Sequence, residues 1–191
     1  MASTPITPKA DPLAGVGEAY PALKPYLDRV IVSQGKTRAG DPRQLEFYPP
    51  WERDNPHPGW ITLELFNQAL KGNSLRDALA GDLLHYLGGT DPRTDKPVDP
   101  AYYALKQAVT KARTPQQIAL DQRLYGEARR GGDKRTLEDW LNESRIDAYI
   151  RGFVTPDAQD EWRRHGFYSD PAMLKAVQAV ESYIKKGKAV K

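Results

Sequence analysis

The sequence predicts an α+β fold, in which a small N-terminal sheet of about three strands precedes a mostly helical remainder. Three observations support this fold class. Before residue 67, short apolar segments rich in β-branched and aromatic residues alternate with polar residues, as strands do. From residue 74 onward the pattern is helical, and capping residues repeatedly precede prolines. The chain also contains no internal repeat and no low-complexity segment.

Three segments are predicted as strands, at residues 29–33, 44–48 and 60–66. The last has the strongest pattern, because Ile61 and Leu63 fall on one face while Thr62 falls on the other. Pro49 and Pro50 end the second segment, since proline cannot donate a hydrogen bond to a neighbouring strand. The segments therefore predict one small sheet.

The helical part is marked by capping side chains that stand directly before proline. Proline is favourable at the first helical position because its missing N–H would be unpaired there. The pairs are Asp99-Pro100, Thr114-Pro115, Thr155-Pro156 and Asp170-Pro171. Ser74 with Asp77, and Thr136 with Asp139, indicate two further starts. The predicted helices run near residues 74–87, 100–112, 115–130, 137–151, 156–164 and 171–186.

The domain organisation predicted from composition is a flexible arm at 1–12, a single α+β domain at 13–186 and a basic tail at 187–191. The chain of 191 residues has no cysteine, which excludes disulfides, thiolate metal sites and a cysteine nucleophile. No apolar run approaches the roughly 18 residues that a membrane span needs. The N-terminus also has no apolar stretch typical of a signal peptide. We therefore expect no membrane span.

The clearest chemical pattern is Gly81-Asp82-Leu83-Leu84-His85, on the helix predicted after the third strand. Asp82 and His85 are three residues apart, which places a carboxylate and an imidazole on one helix face. Zincin metallopeptidases have the same order of strand, loop and helix, and their His-Glu-x-x-His motif supplies two zinc ligands and a general base. Gly81 stands at the first histidine, Asp82 at the glutamate and His85 at the second histidine. The segment therefore resembles a degenerate zincin helix, which implies a zincin-like core.

Gly81 has no side chain to bind a metal, and a single imidazole leaves zinc short of the three protein ligands of a catalytic site. We therefore expect no cofactor, with zinc as the alternative. A metal-dependent hydrolase would use His85, Asp82, Glu143 and Asp147 as ligands, with Asp82 as the catalytic base. Further candidate ligands are Asp91, Asp95 and Asp99. In the competing interpretation, His85 is a histidine at the edge of the core that is hydrogen-bonded to a neighbour.

Aromatic residues around the Pro49-Pro50 segment predict a contact surface for another protein. The candidate residues are Tyr48, Trp51 and Trp60. The alternative is that these side chains only close the end of the small sheet. Either reading places them beside a loop that contains several prolines.

Weak nucleic-acid binding is a third possibility, since the net charge is +3. The candidate residues are Arg129, Arg130, Arg163 and Arg164, together with the lysines of the tail. Basic and acidic residues are interleaved along most of the chain, which favours solvated helix ends over one basic face.

Several segments together resemble a domain of tailed-bacteriophage virion-associated and polyvalent proteins. They lie at residues 45–52, 55–59, 80–85 and 147–152, and the resemblance spans roughly residues 11–180. It implies a bacteriophage accessory or virion-associated protein, structural or ejected, that acts mainly through protein–protein contacts. The implied partners are other phage or host proteins, or a second copy of the chain. The implied location is the cytoplasm of the bacterial host or the virion.

Overall fold

A computed structural model describes residues 12–35, 45–66, 72–154 and 168–186. The arm up to residue 11, the predicted helix at 156–164 and the tail at 187–191 lie outside these residues. The chain divides into two compact units, Met1–Val98 with Ile184–Gly187, and Asp99–Tyr183 with Lys188–Lys191. A small sheet followed by a mostly helical remainder confirms the predicted α+β class. The single domain at 13–186 stays a prediction.

The first unit contains the strands and the helix that carries His85. Its elements are α1 (Pro12–Ala19), a 3₁₀ turn (Pro21–Leu23), α2 (Lys24–Leu27), β1 (Val30–Gln34), β2 (Leu45–Tyr48), β3 (Ile61–Leu65), α3 (Gly72–Leu87), β4 (Thr90–Asp91) and β5 (Lys96–Pro97). In the described part of the chain, the main sheet has the order β1-β3-β2. Strand β3 pairs parallel with β1 and antiparallel with β2. The hairpin β4–β5 was not predicted, because its strands have only two residues each.

The core of the first unit lies between the sheet and α3. Leu63 of β3 is fully buried, as are Leu79 and Leu83 of α3. Thr62, on the opposite face of β3, is also fully buried, so the polar face expected from the sequence is covered as well. Helix α3 begins two residues earlier than expected. The capping box predicted for Ser74 is therefore wrong, and the Asp77 carboxylate instead accepts a hydrogen bond of 2.8 Å from the Tyr20 hydroxyl.

The second unit is built of helices, and the starts of α4, α5, α6 and α8 match the predicted caps. The helices are α4 (Pro100–Lys111), α5 (Pro115–Arg130), α6 (Leu137–Trp140), α7 (Asp147–Val154) and α8 (Pro171–Lys186), of which residues 171–183 belong to this unit. A π-helical turn (Leu141–Ile146) joins α6 to α7. The single helix predicted at 137–151 is divided by this π-helical turn. Asp99 accepts from the backbone N–H of Tyr102, and Thr114 forms a full capping box with Gln117. Thr136 caps α6. These starts confirm that the capping residues were read correctly from sequence.

Candidate functional site

The Gly81–His85 stretch lies on α3, packed against the sheet. Leu83 and Leu84 are buried, while Asp82 and His85 are half-buried. The His85 ring meets the Phe47 ring of β2 edge-on, with the centroids 6.3 Å apart. Aromatic edge contacts of this kind add modest packing energy. His85 therefore lies at the edge of the core. It is on the same helix as Asp82.

The described residues contain no group of three or more His, Asp or Glu side chains that could hold a metal ion. Asp82 and His85 belong to the first unit, whereas Glu143 and Asp147 belong to the second. Asp147 forms an ion pair of 2.8 Å with Lys106, and the two side chains are only 6% and 2% exposed. For Glu143, only the backbone within the π-helical turn is described. A zinc site at these residues stays a prediction.

Two of the further candidate ligands already carry hydrogen bonds. Both oxygens of Asp91 accept from the Arg93 guanidinium, at 3.0 and 2.7 Å. Asp99 caps α4 and also accepts from the Tyr183 hydroxyl at 2.6 Å. These contacts explain the acidic segment at 91–99 as a hairpin turn followed by a helix cap. The turn includes Asp95 at a φ of +55°.

The loop between β2 and β3 is held by one buried side chain, Asn55. Its amide nitrogen donates to the carbonyl oxygens of Pro49 and Trp60, at 2.9 and 2.8 Å. Its amide oxygen accepts from the backbone N–H of His57 and from the hydroxyl of Thr62, both at 2.8 Å. Asn55 is 4% exposed and uses both its donor and its acceptor groups. One side chain thus ties both ends of the loop to β3.

The three predicted contact residues differ in their surroundings. Trp60 is 45% exposed. Trp51 is half-buried, with its ring centroid 5.6 Å from that of Tyr86 and also 5.6 Å from the guanidinium carbon of Arg93. The Tyr48 hydroxyl lies 3.4 Å from a Glu64 oxygen. Burial first, and then the neighbouring Glu46 and Glu64 carboxylates, raise the pKa of Tyr48. Of the three, Trp60 presents the most open apolar surface.

A cleft of about 310 Å³ lies in the first unit beside this loop. It is lined by Tyr86 at the end of α3, by Arg29 just before β1, and by Arg93 and Lys96 of the hairpin. Sequence reasoning missed this site. The basic residues are isolated from one another along the chain, so no local cluster indicated it.

The second unit contains a buried polar network centred on the Asp121 carboxylate. Asp121 accepts from the guanidinium groups of Arg113 and Arg145, at 2.8 and 2.9 Å, and from the Tyr149 hydroxyl. Burial, followed by the hydrogen bond to Asp121, raises the pKa of Tyr149. The Asp121 carboxylate is therefore hydrogen-bonded to two guanidinium cations and to one neutral phenol. The network links α5 to the π-helical turn and α7.

The arginines proposed for nucleic-acid binding are only partly described. Arg129 and Arg130 are exposed in the last turn of α5, and the Arg129 guanidinium donates to the Asp133 carbonyl at 3.0 Å. Asp133 also forms an ion pair with Arg135. Arg163 and Arg164 lie outside the described residues. Basic and acidic side chains are thus mixed at this end of α5, and nucleic-acid binding stays a prediction.

Comparison with known proteins gives no relative: no protein-family model, curated protein or solved structure matches the chain. The resemblance to virion-associated phage proteins and to a zincin core therefore stays a prediction. Within the described residues, no helix has the length and apolar character required to cross a membrane.

Proposed function

We propose that this protein is a bacteriophage accessory or virion-associated protein that acts by binding another protein through the loop between β2 and β3. The observation that carries the proposal is Trp60, a large aromatic side chain left 45% exposed at the end of a loop that Asn55 holds in place. The resemblance to tailed-phage virion proteins predicted from the sequence motifs supports the phage assignment.

The loop has two properties of a protein-binding site. Tryptophan is among the residues that contribute most to protein interfaces, because it buries a large area with few rotatable bonds. A loop that is fixed before binding also loses less conformational entropy when a partner docks. The hydrogen bond from the Asn55 amide to the Trp60 carbonyl supplies this order at the position of the aromatic residue.

The two tryptophans of the loop differ in how much surface they offer a partner. Trp51 contacts Tyr86 and Arg93 and is half-buried, so it contributes less open area than Trp60. A partner that covers Trp60 would be another phage protein, a host protein or a second copy of this chain. The absence of a second histidine at Gly81 supports a binding role over a zincin-type hydrolase.

The test is association with virions assembled in host cells that carry a tagged copy of the chain. We expect the wild-type protein to sediment with particles and Trp60→Ala to remain in the supernatant. The matched control is Ile118→Ala, because Ile118 is the other large apolar side chain exposed in the described part of the chain, at 38%. Sedimentation equilibrium of the purified proteins measures self-association in parallel.

Three results decide the proposal. Loss of particle or self-association in Trp60→Ala, with Ile118→Ala unchanged, supports it. Equal behaviour of the two variants and the wild type contradicts a contact through this loop. Absence of the wild-type protein from both particles and oligomers contradicts the virion-associated role.

A further inference from the structure

We infer that the cleft between the end of α3 and the β4–β5 hairpin binds a small organic phosphate, a role beyond the proposed protein contact. The cleft belongs entirely to the first unit. Its volume of about 310 Å³ lies at the lower end of the range for small-molecule sites. That size suits a ligand such as a nucleoside monophosphate.

The charge balance of the cleft favours a dianion. Arg29, Arg93 and Lys96 line it, and Asp91 is its one acidic lining residue among those described. Asp91 is neutralised by the two hydrogen bonds from Arg93. Arg29 and Lys96 are exposed and have no ion-pair partner among the described residues. Two uncompensated positive charges remain, and a phosphate monoester carries about −1.5 to −2 charge at neutral pH.

The Tyr86 hydroxyl supplies a neutral hydrogen-bond donor at the same place. Within the described residues it has no hydrogen-bond partner. Burial, followed by the Asp91 carboxylate, raises the pKa of Tyr86, while Arg29 and Arg93 act to lower it. The phenol therefore stays protonated and can donate to a phosphate oxygen. Tyr86, Arg29 and Arg93 all line this cleft.

The remaining walls suit the organic part of such a ligand. The Tyr26 and Tyr86 rings meet edge to face, with centroids 6.5 Å apart and planes at 81°. Ile61, Pro50 and Pro97 add apolar surface. Ligand sites commonly combine apolar and aromatic walls with a few convergent polar groups. The lining of the cleft therefore includes two aromatic rings and three apolar residues in addition to the charged side chains.

The test is calorimetric titration of the full chain with AMP, adenosine and inorganic phosphate at low ionic strength. The cleft variant is Arg29→Gln with Lys96→Gln. The matched control is Arg123→Gln with Lys111→Gln, which removes the same two charge types from exposed helix positions in the second unit. Melting temperatures of both variants establish that they are folded. Both double variants have the same net charge, so a difference between them reports the position of the charges.

We expect wild type and control to bind AMP, and the cleft variant to bind about tenfold to a hundredfold more weakly, because it lacks the two cations that would attract the phosphate. This loss corresponds to about 1.4–2.8 kcal/mol of binding free energy. Adenosine, which lacks the phosphate, should bind more weakly than AMP. Trp60→Ala should retain AMP binding, because Trp60 does not line the cleft. Phosphate binding in the cleft can thus be confirmed or refuted independently of the proposed protein contact through Trp60.

The proposal is overturned if wild type binds neither AMP nor phosphate, if adenosine binds as well as AMP, or if both double variants bind equally. A short polyglutamate peptide provides a further comparison. Its binding to wild type but not to the cleft variant, without AMP binding, would overturn the proposal in favour of an acidic protein segment.

Discussion

Asn55 shows how a single buried side chain can fix the conformation of a loop. Its amide makes four hydrogen bonds, which connect the start of the loop at Pro49 to β3 at Thr62. An unpaired polar group inside a protein costs the full free energy of removing it from water. The orientation of Trp60 therefore depends on Asn55, a residue that is only 4% exposed.

Replacing Asn55 with alanine should lower the free energy of unfolding by about 2–4 kcal/mol, because buried carbonyl and hydroxyl groups lose their partner. Urea unfolding followed by tryptophan fluorescence measures this change. Asn73→Ala is the matched control, since Asn73 is exposed on α3 and should change stability by less than about 0.5 kcal/mol. Equal unfolding midpoints for the two variants would show that Asn55 does not hold the loop.

Asp133 is the residue with the clearest expected pH dependence. Its carboxylate accepts side-chain hydrogen bonds and a backbone hydrogen bond from Arg135, and these lower its pKa from 3.8 to about 2. Because the pKa in the folded state is lowered, the stabilisation is fully present above pH 3.8 and is lost as pH falls through about 2.

An NMR titration of the Asp133 carboxyl carbon should therefore give a midpoint near 2. In Arg135→Ala the midpoint should rise towards 3.8, although the backbone N–H of residue 135 still donates. Lys134→Ala serves as the control, because Lys134 is exposed and does not bond to the carboxylate. A midpoint that stays the same in Arg135→Ala would contradict the role of the guanidinium.

Among the described helices, α5 has an N-terminus with a full capping box. The Thr114 hydroxyl accepts from the backbone N–H of Gln117 at 3.2 Å, and the Gln117 side chain accepts from the backbone N–H of Thr114 at 2.8 Å. These two bonds satisfy donors that the first helical turn leaves unpaired. All the groups involved lie within four consecutive residues, which is why the start could be read from sequence.

Thr114→Ala should cost about 1 kcal/mol of unfolding free energy through loss of this cap. Thermal and urea unfolding of the variant measure the cost. Thr110→Ala is the comparison, because the Thr110 hydroxyl bonds within α4 to the Lys106 carbonyl and caps nothing. Alanine has the higher helix propensity, so Thr110→Ala should be neutral or slightly stabilising. The capping role fails if Thr114→Ala is as stable as Thr110→Ala.

For the whole molecule, the described packing combines apolar cores with buried pairs of opposite charge. Apolar side chains fill the core of each unit, and buried pairs such as Lys106 with Asp147 neutralise the charges inside the second. Breaking such a pair from one side leaves a buried charge unpaired, which is strongly destabilising. Stability therefore follows from side-chain packing and pairing in the described residues.

Because Gly81 leaves the zincin-like helix with a single histidine, removal of metal ions should leave the melting temperature unchanged. The measurement compares thermal unfolding with and without a chelator, together with the zinc content of the purified protein. His85→Ala, tested alongside, should lose some packing against Phe47 but no metal. Stoichiometric zinc, a melting temperature lowered by chelation and loss of zinc in His85→Ala would instead support the metal-dependent hydrolase.

Sequence by itself determined the α+β class, the three strands of the main sheet and the starts of α4, α5, α6 and α8. Each of these depends on residues close together in the chain, through alternation along a strand or a cap three residues from its partner. The sequence also indicated the loop with Trp60 as a contact surface, but not the side chain that holds it.

Tertiary structure alone decided the two features on which the functional proposals rest. Asn55 can bond to both ends of the loop only because β3 pairs with β2. The cleft forms only where Arg29, Tyr86 and Lys96 come together. The three cleft residues are far apart in sequence, whereas the hydrogen-bond partners of Asn55 all lie within seven residues of it. Burial of side chains such as Leu63, Leu79 and Leu83 contributes the free energy that holds the strands and α3 in place. Local patterns specify the elements, whereas long-range packing creates the cleft.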